Sequence, residues 1–557
     1  MTEDLLLYLC FNLNYMPTNK VLILFALICA VCLSAKVSAQ TPTIKWWYNL
    51  NDASFGQTAA ADIDNDGKLE LVFGCYRNDS SVYALNAENG TLLWKYNTHP
   101  EGFEGCNDVA PIIYDVDNDG SMEVIVPSSC NAKTYCFDGA TGAVKWQTTT
   151  HGSDSPPTIA DIDKDGKPEI LHGEFGGYVI CINAEDGSVA WEITVNSNSW
   201  IQTAPTIVDL DNNGQLDFVV ASWAFSQDTN YVYAYRGNDH TLLWKHKVED
   251  VVYHGTAVAD LDSDNRPELV IGDYSGKLHV LNGENGTELW THTAPKDYYI
   301  GCPAAIADLD DNGSCEVVFA AWFQMTALQS DSSILWQYSI PDYASAFRGA
   351  ALADVDNDNK PDVIFGTSTG TVIALKGTTG APIWSIDLAA HYGDTLDINH
   401  APIIADFDGD GILDLFIIGG DTKYPDFQNN YGRAYALSIG VGAGPDWLMF
   451  QRNIRRTSSL CELGTVGISD FAENHPEGTL QVHPNPAKNT TILSFSNAGN
   501  RLHSLQIYNA LGQKVQTYKT ITGTAAKFEI SGLPSGLYFF TLLSENTIIG
   551  NGKFVVE

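Results

Sequence analysis

The sequence predicts an all-β protein, an eight-bladed β-propeller followed by a small β-sandwich, and three observations carry that prediction. An acidic nine-residue loop recurs eight times at a spacing of about fifty residues, the mark of a repeat architecture. Each copy lies among short apolar and β-branched runs, four to a period, which is the make-up of a propeller blade. The last stretch of about eighty residues drops this period and reads as alternating strands joined by Pro- and Gly-rich turns.

The loop is seen most plainly in DIDNDGKLE, from Asp62 to Glu70. Acids alternate at the first, third and fifth places, a glycine permits a tight turn, and a last acid returns at the ninth. Such a loop can surround a hard cation with oxygen, and calcium, which accepts six to eight oxygens in a forgiving geometry, suits it better than magnesium. The candidate ligands are Asp62, Asp64, Asp66 and Glu70 in loop 1; Asp115, Asp117, Asp119 and Glu123 in loop 2; Asp161, Asp163, Asp165 and Glu169 in loop 3; and Asp209, Asp211, Asn213 and Asp217 in loop 4. They continue as Asp260, Asp262, Asp264 and Glu268 in loop 5; Asp308, Asp310, Asn312 and Glu316 in loop 6; Asp354, Asp356, Asp358 and Asp362 in loop 7; and Asp406, Asp408, Asp410 and Asp414 in loop 8. The glycine gives way only to Asn265 and Asn359. Asparagine is the residue next best able to take a positive φ, so the turn is preserved.

Before each loop stands a small-and-apolar run such as APIIYD or GTAVAD, and after it a β-branched run such as LELVFG. A third run, VYALNAENGTLLW from Val82, reads as a hairpin joining the third and fourth strands of a blade through an Asn-Gly turn. Trp94, Trp146, Trp191, Trp244, Trp290, Trp336 and Trp384 close the first seven copies. A ring at one fixed place in each blade is expected to pack on the next blade and satisfy its N–H there. The eighth copy ends irregularly around Trp447, whereas IKWWYNL, with Trp46 and Trp47, precedes loop 1. An N-terminal strand is therefore expected to pair with blade eight and close the ring, removing unpaired sheet edges.

The formal net charge of −38 over 557 residues is largely loop chemistry. Eight calcium ions would cut it to roughly −22. No basic patch is present to neutralise phosphates, which argues against a nucleic-acid partner.

Residues 1–39 read as an N-terminal extension and signal peptide, with translation starting at Met16, an apolar run from Val21 to Leu33 and a small-residue cleavage pattern at Val37-Ser38-Ala39. The run is shorter than the ~20 residues that span a bilayer, so no transmembrane segment is expected in the mature protein. Of eleven cysteines, Cys10, Cys29 and Cys32 precede the cut. Export would allow the other eight to oxidise. Cys130 with Cys136 and Cys302 with Cys315 are near enough in sequence to suggest pairs, and Cys75, Cys106, Cys181 and Cys461 leave the connectivity open.

If the acidic loops and Asn-Gly hairpins share one face, the loops joining strands two to three and four to the next blade crowd the other. These are unlike one another and rich in rings: Trp200, Trp223, Tyr253, His254, Tyr298, Trp322, Tyr343, Arg348, Tyr392 and His400 are the candidate ligand-binding rim, with Phe103, Glu104 and Tyr424 among its further members. Rings with scattered acids, histidines and one arginine can stack on sugars or receive a protein partner's aromatic side chains. His400 is expected to look into the central channel.

With the loops and blade ends in view, a resemblance is plain. Residues 44–457 resemble the FG-GAP and VCBS repeats of integrin-like propellers and many bacterial secreted proteins, and the NAENGTLLW blade ends are similar to those of pyrroloquinoline-quinone-type propellers. The resemblance implies calcium in the acidic loops. It implies no quinone, because the vicinal Cys-Cys pair of quinone-dependent dehydrogenases is missing.

A linker is expected over 458–477, and residues 478–557 closely resemble the C-terminal sorting domain of type IX secretion, the outer-membrane export route of Bacteroidetes-type bacteria. Pro484, Asn485, Pro486, Gly512, Leu533, Pro534, Gly536 and Tyr538 stand where that family's motifs stand. The resemblance implies recognition by the type IX machinery, with the protein secreted or held at the outer cell surface.

For activity, no G-x-S-x-G elbow, His-Glu-x-x-His helix or phosphate loop is present, and the paired carboxylates belong to the metal loops. The functional expectation is a calcium-binding adhesion or binding module for glycan or protein ligands, with no catalytic residue assigned. The alternative is a calcium-dependent polysaccharide lyase, since lyases of the rhamnogalacturonan type also use eight-bladed calcium propellers, with rim histidines and Arg348 as the proton-transfer and charge-stabilising groups.

Overall fold

The computed structural model describes residues 41–99, 106–107, 109–226, 229–423, 426–440, 442, 444 and 446–461, then the strands between 481 and 556 with Leu533 and Pro534. The expected signal peptide, Phe103, Glu104, Tyr424, Pro484, Asn485, Pro486 and Gly512 lie outside the described residues. The chain divides into two compact units at Gly464/Thr465. Among the described residues no helix is long and apolar enough to cross a membrane.

The first unit is a β-propeller built of four-stranded antiparallel sheets. Sheet 1 comprises Ala59–Ala61, Glu70–Gly74, Ser81–Asn86 and Leu92–Asn97, in sequence order across the sheet. Its short first strand is all small residues, and its second, ELVFG, is buried on both faces, as a strand between two neighbouring sheets must be. Sheets 2 to 7 repeat the plan from inner strands Ile112–Tyr114, Thr158–Ala160, Thr206–Val208, Ala257–Ala259, Ala305–Ala307 and Ala351–Ala353. Sheet 8 takes Ile403–Ala405, Leu413–Asp421 and Tyr431–Gly440 from its own repeat, and its outer strand is Thr43–Leu50 from the start of the described chain. That strand pairs antiparallel with Tyr431–Gly440, Trp47 opposite Tyr435, and closes the ring as the sequence predicts.

The core lies between successive sheets, and the tryptophans join them. The indole N–H of Trp94 donates to the Gly139 carbonyl of the next sheet at 2.6 Å, and Trp146, Trp244, Trp290 and Trp336 repeat the bond to Ala184, Gly283, Ser330 and Gly377. Trp46, carried on the closing strand, does the same for sheet 8 by donating to Ala87 of sheet 1 at 2.8 Å. The hairpin glycine is fitted to this ring: at Gly90, φ is +71° and a Cβ would stand 2.5 Å from Trp46. A substitution there meets both backbone strain and overlap.

One element was not legible in the sequence. The segment after sheet 8 runs along the inner strands of the ring, its backbone bonded to Ile404, Ala60, Ile159, Ile207, Val258 and Ile306 of sheets 8, 1, 3, 4, 5 and 6. Within it Arg456 is fully buried, donating to the carbonyls of Pro157, Phe450 and Pro111. Burial lowers its pKa to about 9, so the three carbonyls are what keep a cation acceptable there. Ser458, Ser459, Leu460 and Cys461, expected in the linker, belong to this inner segment.

The disulfides correct the sequence expectation. Cys106 pairs with Cys130 and Cys315 with Cys461, whereas Cys75, Cys136, Cys181 and Cys302 are buried outside any disulfide. Cys136 lies within strand Lys133–Asp138, facing the core between sheets 2 and 3, and so cannot reach the Cys130 loop.

The second unit has a three-stranded sheet (Gln481–His483, Thr490–Ser494, Ala525–Glu529) and a four-stranded sheet ordered Lys514–Ile521, His503–Asn509, Gly536–Ser544, Thr547–Val556. Leu493, Leu505, Phe528, Tyr538, Phe540 and Phe554 form its core, as a β-sandwich requires. The Tyr538 hydroxyl donates to the Pro534 carbonyl at 2.9 Å and ties down the turn before its strand.

Candidate cation loops and ligand face

All eight acidic loops fold alike. The first aspartate accepts from the backbone N–H of the sixth residue: Gly67 and Gly120 to Asp62 and Asp115 at 3.0 Å, and so on to Gly411 and Asp406 at 2.8 Å. The ninth-position acid accepts from the second residue's N–H, as Ile63 to Glu70 at 2.9 Å and Phe407 to Asp414 at 3.2 Å. Both bonds require the sixth residue in the left-handed region: Gly67 has φ +85°, and Asn265 and Asn359 reach 65° and 64°. No atom lies within 4 Å of where a Gly67 Cβ would be, so glycine is there for its backbone and asparagine can replace it.

The loop gathers charge it does not satisfy. One oxygen each of Asp62, Asp64 and Asp66 lie within 4.8 Å of one another, as do those of Asp115, Asp117 and Asp119. Buried carboxylate oxygens without a hydrogen-bond partner occur in every loop but the second: at Glu70, at Asp161, at Asp211 and Asp217, at Glu268, at Asp310 and Glu316, at Asp356, and at Asp414. Burial, and then the neighbouring aspartates, push Glu70, Glu169 and Glu268 up to about 8 and Glu316 up to about 7, and burial also raises Asp217 and Asp362 to about 7 and Asp414 to about 6. An orphaned oxygen in an acid cluster fits a hard cation.

Loops 2, 4, 7 and 8 carry a basic side chain of their own as well. Lys145 Nζ bonds Asp117 at 2.9 Å and Glu123 at 2.8 Å in loop 2. Lys376 bonds Asp356 and Asp358 in loop 7, Lys45 bonds Asp408 and Asp414 in loop 8, and Arg236 bonds Asp211 in loop 4. Loops 1, 3, 5 and 6 form no such pair among the described residues. The sequence held a signal for this: the residue before the blade tryptophan is lysine at Lys45 and Lys145, and the third strand runs into Arg236 and Lys376 where sheets 1, 3 and 5 have Asn86, Asn183 and Asn282.

The rim residues divide into three groups. Over sheets 4 to 7 the structure brings most of them into one belt: Trp223 lies 5.5 Å from Tyr253 and 5.2 Å from Tyr274, Tyr274 stacks on Tyr299 at 4.9 Å, and Tyr299 meets Trp322 at 4.0 Å. Phe323 then joins Trp322, Tyr298 and the exposed Tyr343. Trp200 sits between Phe175 and Phe225 and pairs in register with Trp223 through the short strands Ser199–Trp200 and Trp223–Ala224. Tyr392 stands apart, on the short helix α1 (Leu388–Tyr392), stacked on Tyr431 and under Arg433.

Beside the belt is a polar centre. The Arg348 guanidinium covers the Tyr253 ring at 5.2 Å and approaches His254 Nε2 at 3.4 Å. Its charge also reaches Asp154, Asp397 and His400. Gln202 donates to Asp154 at 3.1 Å and Asn399 to Asp397 at 2.8 Å. Arg348 Nε, Gln202 Oε1 and Asp397 Oδ1 are buried without partners. Burial raises Asp397 to about 7 and lowers His400 to about 3. Both rim histidines differ from expectation: His254 is buried beneath Tyr253 and Phe347, and His400 is buried with Nε2 bonded to Thr58, because the inward-facing loops close over them.

Comparison with known proteins agrees with this architecture. Residues 481–557 match the secretion system C-terminal sorting domain, 62–126 and 115–172 match FG-GAP-like repeats, and 167–299 and 228–430 match the outer membrane protein assembly factor BamB. Among curated proteins, quinoprotein ethanol dehydrogenase of Pseudomonas putida is 28% identical over 27% of this chain and 25% of its own length. Rhamnogalacturonan endolyase YesW of Bacillus subtilis is 24% identical over 41% of this chain and 39% of its own. The chain thus spans about a quarter to two fifths of the relatives it matches. The crystal structure of the V. cholerae biofilm matrix protein Bap1 superposes with a TM-score of 0.54 at 15% identity, covering 75% of this chain and 96% of that one. The quinohemoprotein alcohol dehydrogenase of Comamonas testosteroni gives 0.51 at 13% identity, covering 74% and 79%. These superpositions establish the propeller fold. With its sorting tail, the chain is an exported propeller protein.

Proposed function

We propose that the protein is a secreted or cell-surface binding module whose aromatic belt holds a glycan or protein ligand, on a scaffold clamped by calcium in the acidic loops. The observation that carries this reading is the unbroken run of rings from Trp223 to Tyr343, with Arg348 over Tyr253 at its Trp223 end and unpaired polar atoms at Gln202 and Asp397. Rings offer faces for stacking, and the unpaired groups offer directional bonds to hydroxyls or carboxylates. The biofilm role in the name of Bap1 is in keeping with adhesion.

For calcium, the acids of loops 1, 3, 5 and 6 are the fitting holders because no lysine or arginine among the described residues pairs with them, with Asn312 a carbonyl ligand in loop 6. The ion would supply the positive charge that these carboxylates lack and hold the turn between the first two strands of each sheet. The sorting domain would present the protein to the type IX machinery.

A glycan and protein array probed with calcium-loaded full-length protein tests the reading. Retention lost in Trp322→Ala and Trp223→Ala, with melting unchanged, supports it. Equal retention by both variants overturns it. A second reading, polysaccharide lyase chemistry in the manner of YesW, draws on one observation: burial and the Arg348 charge hold His254 well below the usual imidazole range, a neutral base 3.4 Å from a guanidinium. Unsaturated, ultraviolet-absorbing products from acidic polysaccharides would select that reading.

A further inference from the structure

Between sheets 4 and 5 lies a cluster that the proposed function does not use, its Asp273 next in the chain to Tyr274 of the aromatic belt. His279, on strand Lys277–Asn282 of sheet 5, is completely buried and has carboxylates at both ring nitrogens. Its Nε2 faces Asp273 Oδ2 at 3.4 Å and Glu249 Oε2 at 3.2 Å, while its Nδ1 faces Glu288 Oε1 at 3.3 Å. His246 arrives from the outer strand of sheet 4, Leu242–Lys247, with its ring centroid 5.6 Å from that of His279. Its Nε2 stands 3.9 Å from the same Glu288 oxygen.

We propose that His246 Nε2, His279 Nδ1 and a Glu288 carboxylate oxygen form a three-ligand site for a divalent transition ion of the zinc class, bridging sheets 4 and 5. The three ligand atoms already lie within 4.8 Å of one another, so small side-chain movements bring them onto one centre. The opposite ring nitrogens are committed as metal-binding histidines require. His246 Nδ1 is 3.1 Å from the Gly286 carbonyl, which takes its proton and leaves the lone pair on Nε2. His279 Nε2 is held by Asp273, whose Oδ1 accepts from the backbone N–H groups of Ser275 and Lys277 and whose Oδ2 accepts from those of Glu249 and Asp250, so it is an anchored partner.

Charge favours a dication. Glu249, Asp273 and Glu288 bring three negative charges and Lys277, bonded to Glu249 and Glu288, returns one. Imidazole nitrogens select zinc, copper or nickel over calcium. With His246 and Glu288 partly exposed, the fourth position is open to solvent or to a ligand side chain.

The full chain is saturated with millimolar calcium, so that the acidic loops are spoken for, and titrated with Co²⁺ followed by Zn²⁺, reading visible absorption and bound metal. The expected result is one Co²⁺ per chain with the absorption of mixed nitrogen and oxygen coordination, displaced by Zn²⁺. The double variant His246→Ala/Glu288→Gln, at two partly exposed positions, should weaken binding at least tenfold while the calcium-loaded protein still folds and melts cooperatively. Should the double variant unfold, His246→Asn alone is read in the same way. No Co²⁺ uptake beyond calcium, or uptake unchanged by the substitutions, overturns the proposal and leaves the cluster as a network of hydrogen bonds and ion pairs between the two sheets.

Discussion

Loops 1 and 2 carry the same nine-residue pattern and fold on the same two backbone hydrogen bonds, yet their electrostatics are opposite. In loop 2 the ammonium of Lys145 sits on Asp117 and Glu123, and no carboxylate oxygen of that loop is buried without a partner. In loop 1 no basic side chain among the described residues pairs with the acids, Lys68 turning instead to Glu88; Glu70 Oε1 is left alone and the same acid is pushed up to about 8, whereas Lys145 opposes the effect of burial on Glu123. The turn is therefore set by the loop, but its appetite for a cation is set by a residue on the outer hairpin more than twenty positions away. A repeated motif is not a repeated site.

The largest effect that could break this comparison is chelation. With Kd values of about 10⁻⁴–10⁻³ M, each calcium contributes on the order of 1 kcal/mol at millimolar concentration, so loops 1, 3, 5 and 6 together contribute roughly 4 kcal/mol. EDTA is expected to lower the Tm of the full chain by several degrees, followed by circular dichroism, and an unchanged melt would count against filled loops.

Next in size is the pH response of the chelated protein. Glu70, Glu169 and Glu268 have folded-state pKa values of about 8, above their unfolded values near 4.5. Folding therefore favours their protonated forms; that contribution is fully present below about pH 4.5 and is lost as the pH rises through about 8. In EDTA the Tm should fall between pH 5 and about 8 more steeply than in calcium, where the ionised form is the bound one. Parallel profiles would contradict this.

The smallest effect sharpens the comparison loop by loop. Asp64→Asn should remove about 1 kcal/mol of calcium-dependent stability, while Asp117→Asn should leave the calcium increment within a few tenths of a kcal/mol. Equal losses would show that Lys145 yields its place to the ion.

Much of this was legible in sequence, for physical reasons particular to each element. The loops are local, with the sixth residue bonded to the first and the second to the ninth, so spacing alone revealed them. The tryptophans and hairpin glycines recur because each ring packs on the next sheet, and Trp46 before loop 1 betrayed the closing strand. The inner segment around Arg456 was hidden because it attaches by backbone to inner strands and needs no periodic side chains. Disulfide partners were misjudged because Cys315 and Cys461 meet only once that segment is in place. The candidate rim was readable as a collection of rings, but not that His254 and His400 would be covered or that Tyr392 would stand apart. The cluster of His246, His279 and Glu288 comes from two sheets and has no motif.

Titration calorimetry of the chelator-stripped full chain with calcium, beside Asp64→Asn and Lys145→Met variants, tests most directly whether hairpin lysines decide which loops take the ion. The account predicts a calcium isotherm that loses a site in Asp64→Asn and gains one in Lys145→Met. No heat of binding, or a stoichiometry unmoved by either substitution, would contradict it.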